Sequence, residues 1–502
     1  MPSRAKLPHV CIAMGFSTAD ELLAHARREA QEGETFFEFR LDYLRAPEKA
    51  LPGIREFLNQ QPQCTVLATC RRHQNHGNFQ GSIEEQLRIL EAAVDHGAKA
   101  VDVEIESAEQ PGVSLEAFRA RAWLIVSWHH FEATPALAPV VRRMTRVPAD
   151  AYKLVTTARK PSDIHRVLSL AEGHPPTPMI VLTMGEIGFP TRVLSLLHGG
   201  LYTYAAPNAC EGTAPGQIGA RHMRQLYRME RLTRDARVYG VIADPVRHSL
   251  SPAVHNRAFQ TRRIDAVYLP FLVEPRALRD YFEFASKLPV AGFSVTIPHK
   301  QRALRYVDSV DPLARRIGAV NTVWRRAGKW RGTNTDAQGV VGPLGRRVRL
   351  ARSSVLLVGN GGAARGAAFA LREAGAKLSI TGRNPDRVRS LARACDAEPL
   401  LPERAEQAGF DAVVHATPLG MSPKTDACFF RGRIPARVVF DLVYNPRETA
   451  LLKRAAEQGA EIIPGAEMFL EQAAAQFEIW TGESAPRSVM QRALDEALSA
   501  HA

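Results

Sequence analysis

No run in the 502 residues approaches the roughly 20 consecutive apolar positions that a helix needs to cross a bilayer. The six cysteines, Cys11, Cys64, Cys70, Cys210, Cys395 and Cys428, contain no CxxC pair and no metal-ligand spacing. That excludes a disulfide framework and a zinc site, and it predicts free thiols in a reducing cytoplasm, with no metal. The first ten residues, MPSRAKLPHV, run into a strand-like segment and leave no room for a signal or transit peptide. Internal repeats and low-complexity stretches are absent. Lysine is scarce: of 65 basic residues, eleven are lysine and 54 arginine. The formal charge of +13 is spread along the chain, without a sustained basic block or interleaved aromatics. This argues against nucleic acid as a partner and for a solvated surface that attracts anionic small molecules. With 45% apolar residues the chain can bury ordinary cores, and its length exceeds one core.

Up to about residue 225, eight short apolar segments alternate with helix-like stretches at intervals of about 20 to 35 residues, the size of one strand plus one helix. They are VCIA (10–13), FFEFR (36–40), TVLAT (65–69), AVDVE (100–104), WLIVS (123–127), YKLV (152–155), MIVLT (179–183) and LYTY (201–204). This spacing predicts an α/β fold, a (β/α)₈ barrel, whose active site lies at the C-terminal ends of its strands. Those ends carry Glu38, Arg40 and Asp42, then Arg71, Glu104 and His129, with Lys153 inside strand six and Arg192 after strand seven. Each alone reads as an ordinary polar strand end. The whole set converging on one mouth does not. Lys99 precedes strand four and belongs to the opposite face. A lysine within the apolar AYKLV segment loses solvation, which favours a neutral amine able to attack a ketone. His129 is a neighbouring acid/base, so the pair reads as dehydration or aldol-type chemistry on a carbonyl compound.

The segments EFRLD (38–42), ATCR (68–71), IVSWHHF (125–131), YKL (152–154), GFPTR (188–192) and TAPGQ (213–217) together resemble the type I 3-dehydroquinate dehydratase family. The resemblance implies that Lys153 forms an imine, that His129 is the acid/base, and that Arg192 grips the substrate carboxylate. Glu38, Arg40, Arg71, Thr213 and Gln217 would hold the rest of the ring. Thr213 stands where the family often has serine. Asn75 stands where it has a glutamate that orients the histidine, which implies a lower pKa for His129.

The basic stretch HMRQLYRMERLTRDAR (222–237) reads as a helix-like junction, followed by a new strand at 238–242. Further on, VLLVG (355–359) leads into GNGGAARG and a helix, the context in which a GxGxxA turn binds a dinucleotide. Gly359 permits the turn, Gly361 lets backbone approach a pyrophosphate, and the helix N-terminus supplies free N–H groups. After the strand AKLSIT (376–381), Arg383 and Arg387 take the place of the acid that selects NAD, which favours NADP. Asp386, between them, reads as the cap of the next helix. SLSPAVHN (249–256), FSVTIPHK (293–300), GAVNTV (318–323) and GTNTDAQG (332–339) place polar groups at strand ends of one cleft. Lys300 and Asp336, which elsewhere would read as a surface salt bridge, can there supply a proton to an alkoxide.

These motifs, with MFLEQAAAQFEIWTG (468–482), resemble the shikimate dehydrogenase family. The resemblance implies Ser249 and Ser251 on the substrate carboxylate, and Lys300, Asn321, Asp336 and Gln472 on ring hydroxyls, with Lys300 and Asp336 catalytic. Thr296 would also touch substrate, and Tyr444 would border substrate and nicotinamide. NADP would meet Gly359, Asn360, Gly361, Gly362, Ala363, Ala364, Arg383, Asn384, Arg387, Thr417, Gly465 and Met468. The implied organisation is a dehydratase barrel (1–225), a linker (226–237), a substrate lobe (238–345), a Rossmann-like NADP lobe (346–465) and C-terminal helices returning to the substrate lobe (466–502). The two resemblances predict consecutive reactions in one cytoplasmic chain acting on small molecules, away from membranes. The competing readings are an NAD-dependent quinate/shikimate dehydrogenase of catabolism and an inactive regulator of quinate metabolism.

Overall fold

The computed structural model describes residues 6–173, 175–208, 212–214 and 216–500. Cys210 and the first five residues, on which the thiol and leader expectations partly rest, lie outside the described residues. The chain divides into two compact units. One comprises 1–236, 271–273 and 279–289; the other comprises 237–270, 274–278 and 290–502.

The first unit is built on eight strands: β1 (Val10–Met14), β2 (Phe36–Arg40), β3 (Thr65–Thr69), β4 (Ala100–Glu104), β5 (Trp123–His130), β6 (Ala151–Thr157), β7 (Met179–Met184) and β8 (Thr203–Ala205). Neighbours run in the order β7-β6-β5-β4-β3-β2-β1-β8, a nearly closed parallel barrel. Leu201 N–H donates to the Met179 carbonyl at 2.8 Å and bridges the remaining gap. Successive side chains alternate faces along a strand, and this alternation sorts the sequence. Cys11, Phe36, Leu67, Ala100, Ile125, Ala151, Ile180, Tyr202 and Tyr204 pack into one interior cluster. Two residues further along the same strands come Glu38, Thr69, Asp102, Ser127 and Lys153, all buried. A further step brings Arg40, Arg71 and His129 to the mouth. Outside the ring, helices are sharply started; Ser82 and Glu85 form a capping box for the helix Ile83–Asp95.

The stretch expected to be one helix at 222–237 is broken. Arg228 takes a left-handed φ of 47°, and short helical turns flank it. The break lets both Tyr227 and Met229 reach buried positions while Arg224 pairs with Glu34 at 3.0 Å, an arrangement one straight helix does not provide.

The second unit carries two six-stranded sheets. Strands β9 (Arg237–Ala243), β10 (Ala266–Leu272), β11 (Val290–Val295), β12 (Ser309–Val310), β13 (Thr322–Arg326) and β14 (Lys329–Thr333) form a mixed sheet in the order β10-β9-β11-β13-β14-β12. Strands β15 (Ser354–Val358), β16 (Lys377–Thr381), β17 (Glu398–Pro399), β18 (Phe410–His415), β19 (Ala436–Asp441) and β20 (Glu461–Ile463) form a parallel sheet in the order β17-β16-β15-β18-β19-β20. That is the doubly wound order, with its crevice at the β15/β18 switch. The helix Gly465–Thr481 leads back to the first sheet, where Trp480 donates to the Val323 carbonyl at 3.2 Å.

Phe57 is fully buried, its ring 5.8 Å from Phe37 and 5.9 Å from Phe39. Phe57→Ala is expected to destabilise the barrel by about 3–5 kcal/mol. Urea denaturation followed by near-UV circular dichroism tests this, and an unchanged midpoint would contradict the packing described.

Candidate active sites

The barrel mouth encloses a cavity of about 610 Å³, counting its opening to solvent, lined by Glu38, Arg40, Arg71, His129, Lys153, Arg192, Thr213 and Gln217 among others. Eight of the barrel residues singled out from the sequence thus face one space, while Asp42 and Glu104 do not line it. Lys153 is not surrounded by apolar walls, as its segment led one to expect. Its Nζ donates to Asp102 at 2.8 Å, to Glu38 at 3.3 Å and to the Tyr204 hydroxyl at 2.8 Å, and it lies 4.3 Å from the Tyr204 ring centroid. Of AYKLV, Tyr152 and Leu154 point the other way because the strand alternates, while Ala151 and Val155 share the inward face of Lys153. Two carboxylates and a phenol hydroxyl therefore take up the hydrogen bonds of the Lys153 nitrogen. Burial works against the charge of Asp102, but Lys153 and Arg71 hold it below the usual carboxylate range.

Other groups brace this centre. Ser127 donates to Asp102 at 2.5 Å and Thr69 to Glu38 at 2.8 Å. Arg40 grips Asp42 with two bonds of 2.9 and 2.7 Å, so Asp42 serves the arginine. Arg192, pushed down to about 10 by burial, still carries its charge at neutral pH and donates to the Tyr204 carbonyl at 3.3 Å. His129 stacks on Phe131 and is held well below the ordinary histidine range by burial first, then by Arg71, Lys153, Arg40 and His76. Asn75 was expected beside His129. It does not line the cavity; its amide donates to Glu106 at 2.7 Å, and the next residue, His76, takes the wall position. The left-handed φ of 59° at His76 turns the chain there, and Gly77 follows because a Cβ would stand 2.0 Å from the Arg71 carbonyl. Glu104 also stays at the rim, accepting from Arg72 N–H and from Gln86.

In the second unit Lys300 donates to Asp336 at 2.5 Å, and Asn321 donates to Asp336 at 2.7 Å and to Gln472 at 3.2 Å. Thr335 N–H and the Thr322 hydroxyl fix the Asn321 carbonyl, so this asparagine is a hub with a set orientation. Gly339 lets the helix that begins at Asp336 approach the helix that carries Gln472, since a Cβ there would lie 3.0 Å from the Met468 carbonyl. Ser251 N–H bonds Ser249 at 3.4 Å, and Thr296 closes β11 by donating from its N–H to Ile242. Tyr444 packs on Phe469, with ring centroids 5.3 Å apart.

The glycine-rich turn fits a dinucleotide. Gly359 has φ 131°, and a Cβ there would lie 2.8 Å from the Ala416 carbonyl. Gly361 and Gly362, at the start of the helix Gly362–Glu373, face open space that backbone N–H groups can address. Asn360 reaches the Asn384 carbonyl at 3.5 Å and joins this turn to the end of β16, where Arg383 and Arg387 are exposed. Asp386 is not the helix cap. Asn384 accepts from Arg387 N–H, and Asp386 pairs with Arg389, because its place in the first turn of the helix suits an i,i+3 partner. Ala364 is buried in the lobe core, and Gly465 lies against the Val443 carbonyl, 2.4 Å from where its Cβ would be, so neither offers a side-chain contact. Ala363 follows in the first helical turn, and Met468 packs against the same core.

Sequence reading passed over several site groups. Asp102 and Tyr204 share the inward parity of Glu38 and Lys153, a signal that strand alternation carries. Gln476, four residues after Gln472 on one helix, accepts from Ser294 and donates to Thr322. His415 donates or accepts between Asp441 at 2.9 Å and the Thr417 hydroxyl at 2.6 Å, so Thr417 beside the glycine turn is held by a buried pair.

A parallel barrel with an amine at its centre, followed by a mixed-sheet lobe and a doubly wound lobe with a glycine turn, defines two α/β enzymes on one chain. Family models agree: residues 10–234 match type I 3-dehydroquinase, 241–323 the shikimate dehydrogenase substrate binding domain, and 465–494 the shikimate 5'-dehydrogenase C-terminal domain. A bifunctional 3-dehydroquinate dehydratase/shikimate dehydrogenase of Arabidopsis thaliana, chloroplastic, is 34% identical over 505 aligned residues, covering 96% of this chain and 83% of the relative. A shikimate dehydrogenase (NADP(+)) of Thermosynechococcus vestitus is 40% identical, covering 54% of this chain and 99% of its own. A crystal structure of shikimate dehydrogenase in complex with NADP+ superposes with a TM-score of 0.51 at 34% identity, covering 53% of this chain and 97% of that one. The chain belongs to the bifunctional 3-dehydroquinate dehydratase/shikimate dehydrogenase family. No helix among the described residues is long and apolar enough to cross a membrane.

His129 supplies a test by pH. Its folded pKa lies below the ordinary value of 6.5, so the unfolded chain binds the extra proton first as pH falls. The contribution of this residue to stability is therefore complete above 6.5 and declines below it. In NMR of histidine-labelled protein, the ring of His129 is expected to stay neutral through pH 6.5; a midpoint at 6.5 would contradict the enclosure described.

Proposed function

We propose that the barrel dehydrates 3-dehydroquinate to 3-dehydroshikimate through an imine on Lys153, and that the second unit reduces this product to shikimate with NADPH. The observation that carries the first step is the Lys153 amine held at the floor of a cavity with His129 on its wall. Attack of the amine on the ketone forms the imine and releases water. The imine acidifies the adjacent C–H, His129 takes that proton, and the imidazolium returns a proton to the departing hydroxyl. Arg192 is suited to the substrate carboxylate, and Arg40, Arg71, Thr213 and Gln217 to its hydroxyls. Hydrolysis then frees the lysine.

In the second unit, Ser249 and Ser251 are assigned to the carboxylate, and Asn321, Gln472, Thr296 and Tyr444 to the ring. NADPH supplies a hydride when bound. Lys300 delivers a proton to the carbonyl oxygen and takes its replacement from solvent, and Asp336 orients the ammonium. Asn360, Gly361, Gly362 and Ala363 would hold pyrophosphate, Thr417 and Met468 the nicotinamide side, and Arg383 and Arg387 the 2′-phosphate. The domain limits proposed are 1–225, 226–237, 238–345, 346–465 and 466–502. A reducing compartment, the cytoplasm, suits the five free cysteines among the described residues.

Borohydride added during turnover of 3-dehydroquinate is expected to fix substrate mass on the peptide carrying Lys153. Lys153→Ala is expected to abolish dehydration and leave shikimate oxidation intact. An active wild-type protein that gains no mass would refute the imine. For the cofactor, Arg383→Ala is expected to raise KM for NADP by about one to two decades, the worth of one charge-assisted contact, with little change for NAD. Equal effects on both cofactors would refute the assignment and favour the catabolic, NAD-linked reading.

A further inference from the structure

Of the three partners of Lys153 Nζ, two are carboxylates and one is a hydroxyl. Tyr204 Oη lies 2.8 Å from Nζ, 3.2 Å from Glu38 Oε1 and 3.2 Å from Tyr202 Oη, and its side chain lines the cavity. The geometry points to Tyr204 as a catalytic residue that moves protons between the lysine nitrogen and the substrate oxygen while the imine forms and breaks. This rests on Lys153 being the amine that forms the imine.

The proton count sets the requirement. Joining a ketone to an ammonium as a protonated imine makes both bonds of a C=N double bond and breaks both bonds of the carbonyl C=O. Two protons pass from nitrogen to oxygen and leave with it as water; nothing is oxidised or reduced. The carrier must accept from N–H and donate to oxygen in the same place, which a hydroxyl does and an ionised carboxylate does not. Asp102, held in its charged form by Lys153 and Arg71, is a poor proton carrier. Among the described residues no hydrogen bond joins His129 to Nζ, and His129 is reserved for the C–H proton. Tyr204 meets the requirement: it accepts from Nζ–H, and its O–H, released from Glu38, turns to the carbinolamine oxygen. Tyr202 bonds the same oxygen from behind and steadies it through the exchange. Burial, with Glu38 next in weight, pushes the phenol well above its ordinary range, so it returns to O–H after each transfer.

The experiment compares the full-length wild type with Tyr204→Phe, which keeps the ring beneath Nζ and deletes only the hydroxyl. Rapid-quench borohydride trapping with 3-dehydroquinate reads the rate at which Lys153 gains mass. The deuterium isotope effect on kcat, with substrate labelled at the carbon that loses its proton, reads whether imine formation has become limiting. Trapping is expected to slow by about 100-fold, within the range for one positioned proton carrier, and the isotope effect is expected to fall toward unity. Trapping at the wild-type rate overturns the proposal, as does a loss of kcat that keeps the full isotope effect, because a merely structural role would produce it. Absence of trapping in active wild type instead refutes the Lys153 imine itself. If Tyr204→Phe does not fold, fluorotyrosine placed at 204 retains ring and hydroxyl while acidifying the latter; a changed trapping rate supports the shuttle and an unchanged one overturns it.

Discussion

The barrel depends on one buried ammonium. Lys153 is 4% exposed, and a charge so placed is tolerated only when partnered and hydrogen-bonded. Its neighbours answer that requirement in two layers. Asp102, Glu38 and Tyr204 touch the nitrogen; Ser127, Thr69, Arg71 and Tyr202 then hold the three that touch it. Because Lys153, Asp102, Glu38 and Tyr204 project from four different barrel strands, the ring of strands fixes their separations. Removing any one partner leaves a charge or a donor stranded in the interior. The same arrangement that stabilises the resting ammonium places acceptors where its protons must go when it reacts.

The second unit solves a related problem with less burial. Lys300 keeps a fifth of its side chain open while Asp336 is enclosed. The fixed element there is Asn321, whose side-chain carbonyl is pinned by three donors, so that its amide nitrogen reaches both Asp336 and Gln472. Two helices supply those partners, Asp336–Gly345 and Gly465–Thr481, and they approach closely because Gly339 has no side chain. Packing between helices thus sets a hydrogen-bond geometry that the loops alone would leave loose.

How much of this the sequence carries depends on which period is read. Strand spacing disclosed all eight barrel strands, and strand ends disclosed the charged mouth. The floor was missed, because Asp102 and Tyr204 sit inside apolar segments and are visible only by following alternate residues inward from Glu38 and Lys153. Asn75 shows the opposite error. Its position along the chain matches a family motif, but a left-handed residue at 76 turns the loop so that His76 meets the cavity instead. Backbone handedness of that kind at a non-glycine residue leaves little trace in composition. The cap of the helix Pro385–Ala394 went to Asn384 instead of Asp386 for a similar local reason: the chain enters the helix at Pro385, two residues earlier than a capping Asp386 would need.

Charge balance ties the floor of the barrel to its chemistry. Four cations, Arg40, Arg71, Lys153 and Arg192, share the mouth with three carboxylates, Glu38, Asp42 and Asp102. His129, kept neutral by burial and by these cations, adds nothing to the sum. Among these seven groups the surplus is one positive charge, which a substrate carboxylate would offset. In the mechanism proposed, imine formation leaves that balance intact, since the protonated imine carries the charge the ammonium had. There, as His129 takes the C–H proton, the positive charge moves from the imine nitrogen to the imidazole, and it moves back when the hydroxyl departs. A site walled by buried groups can run this sequence because no step changes its net charge, and there each uncompensated charge would cost more than in water.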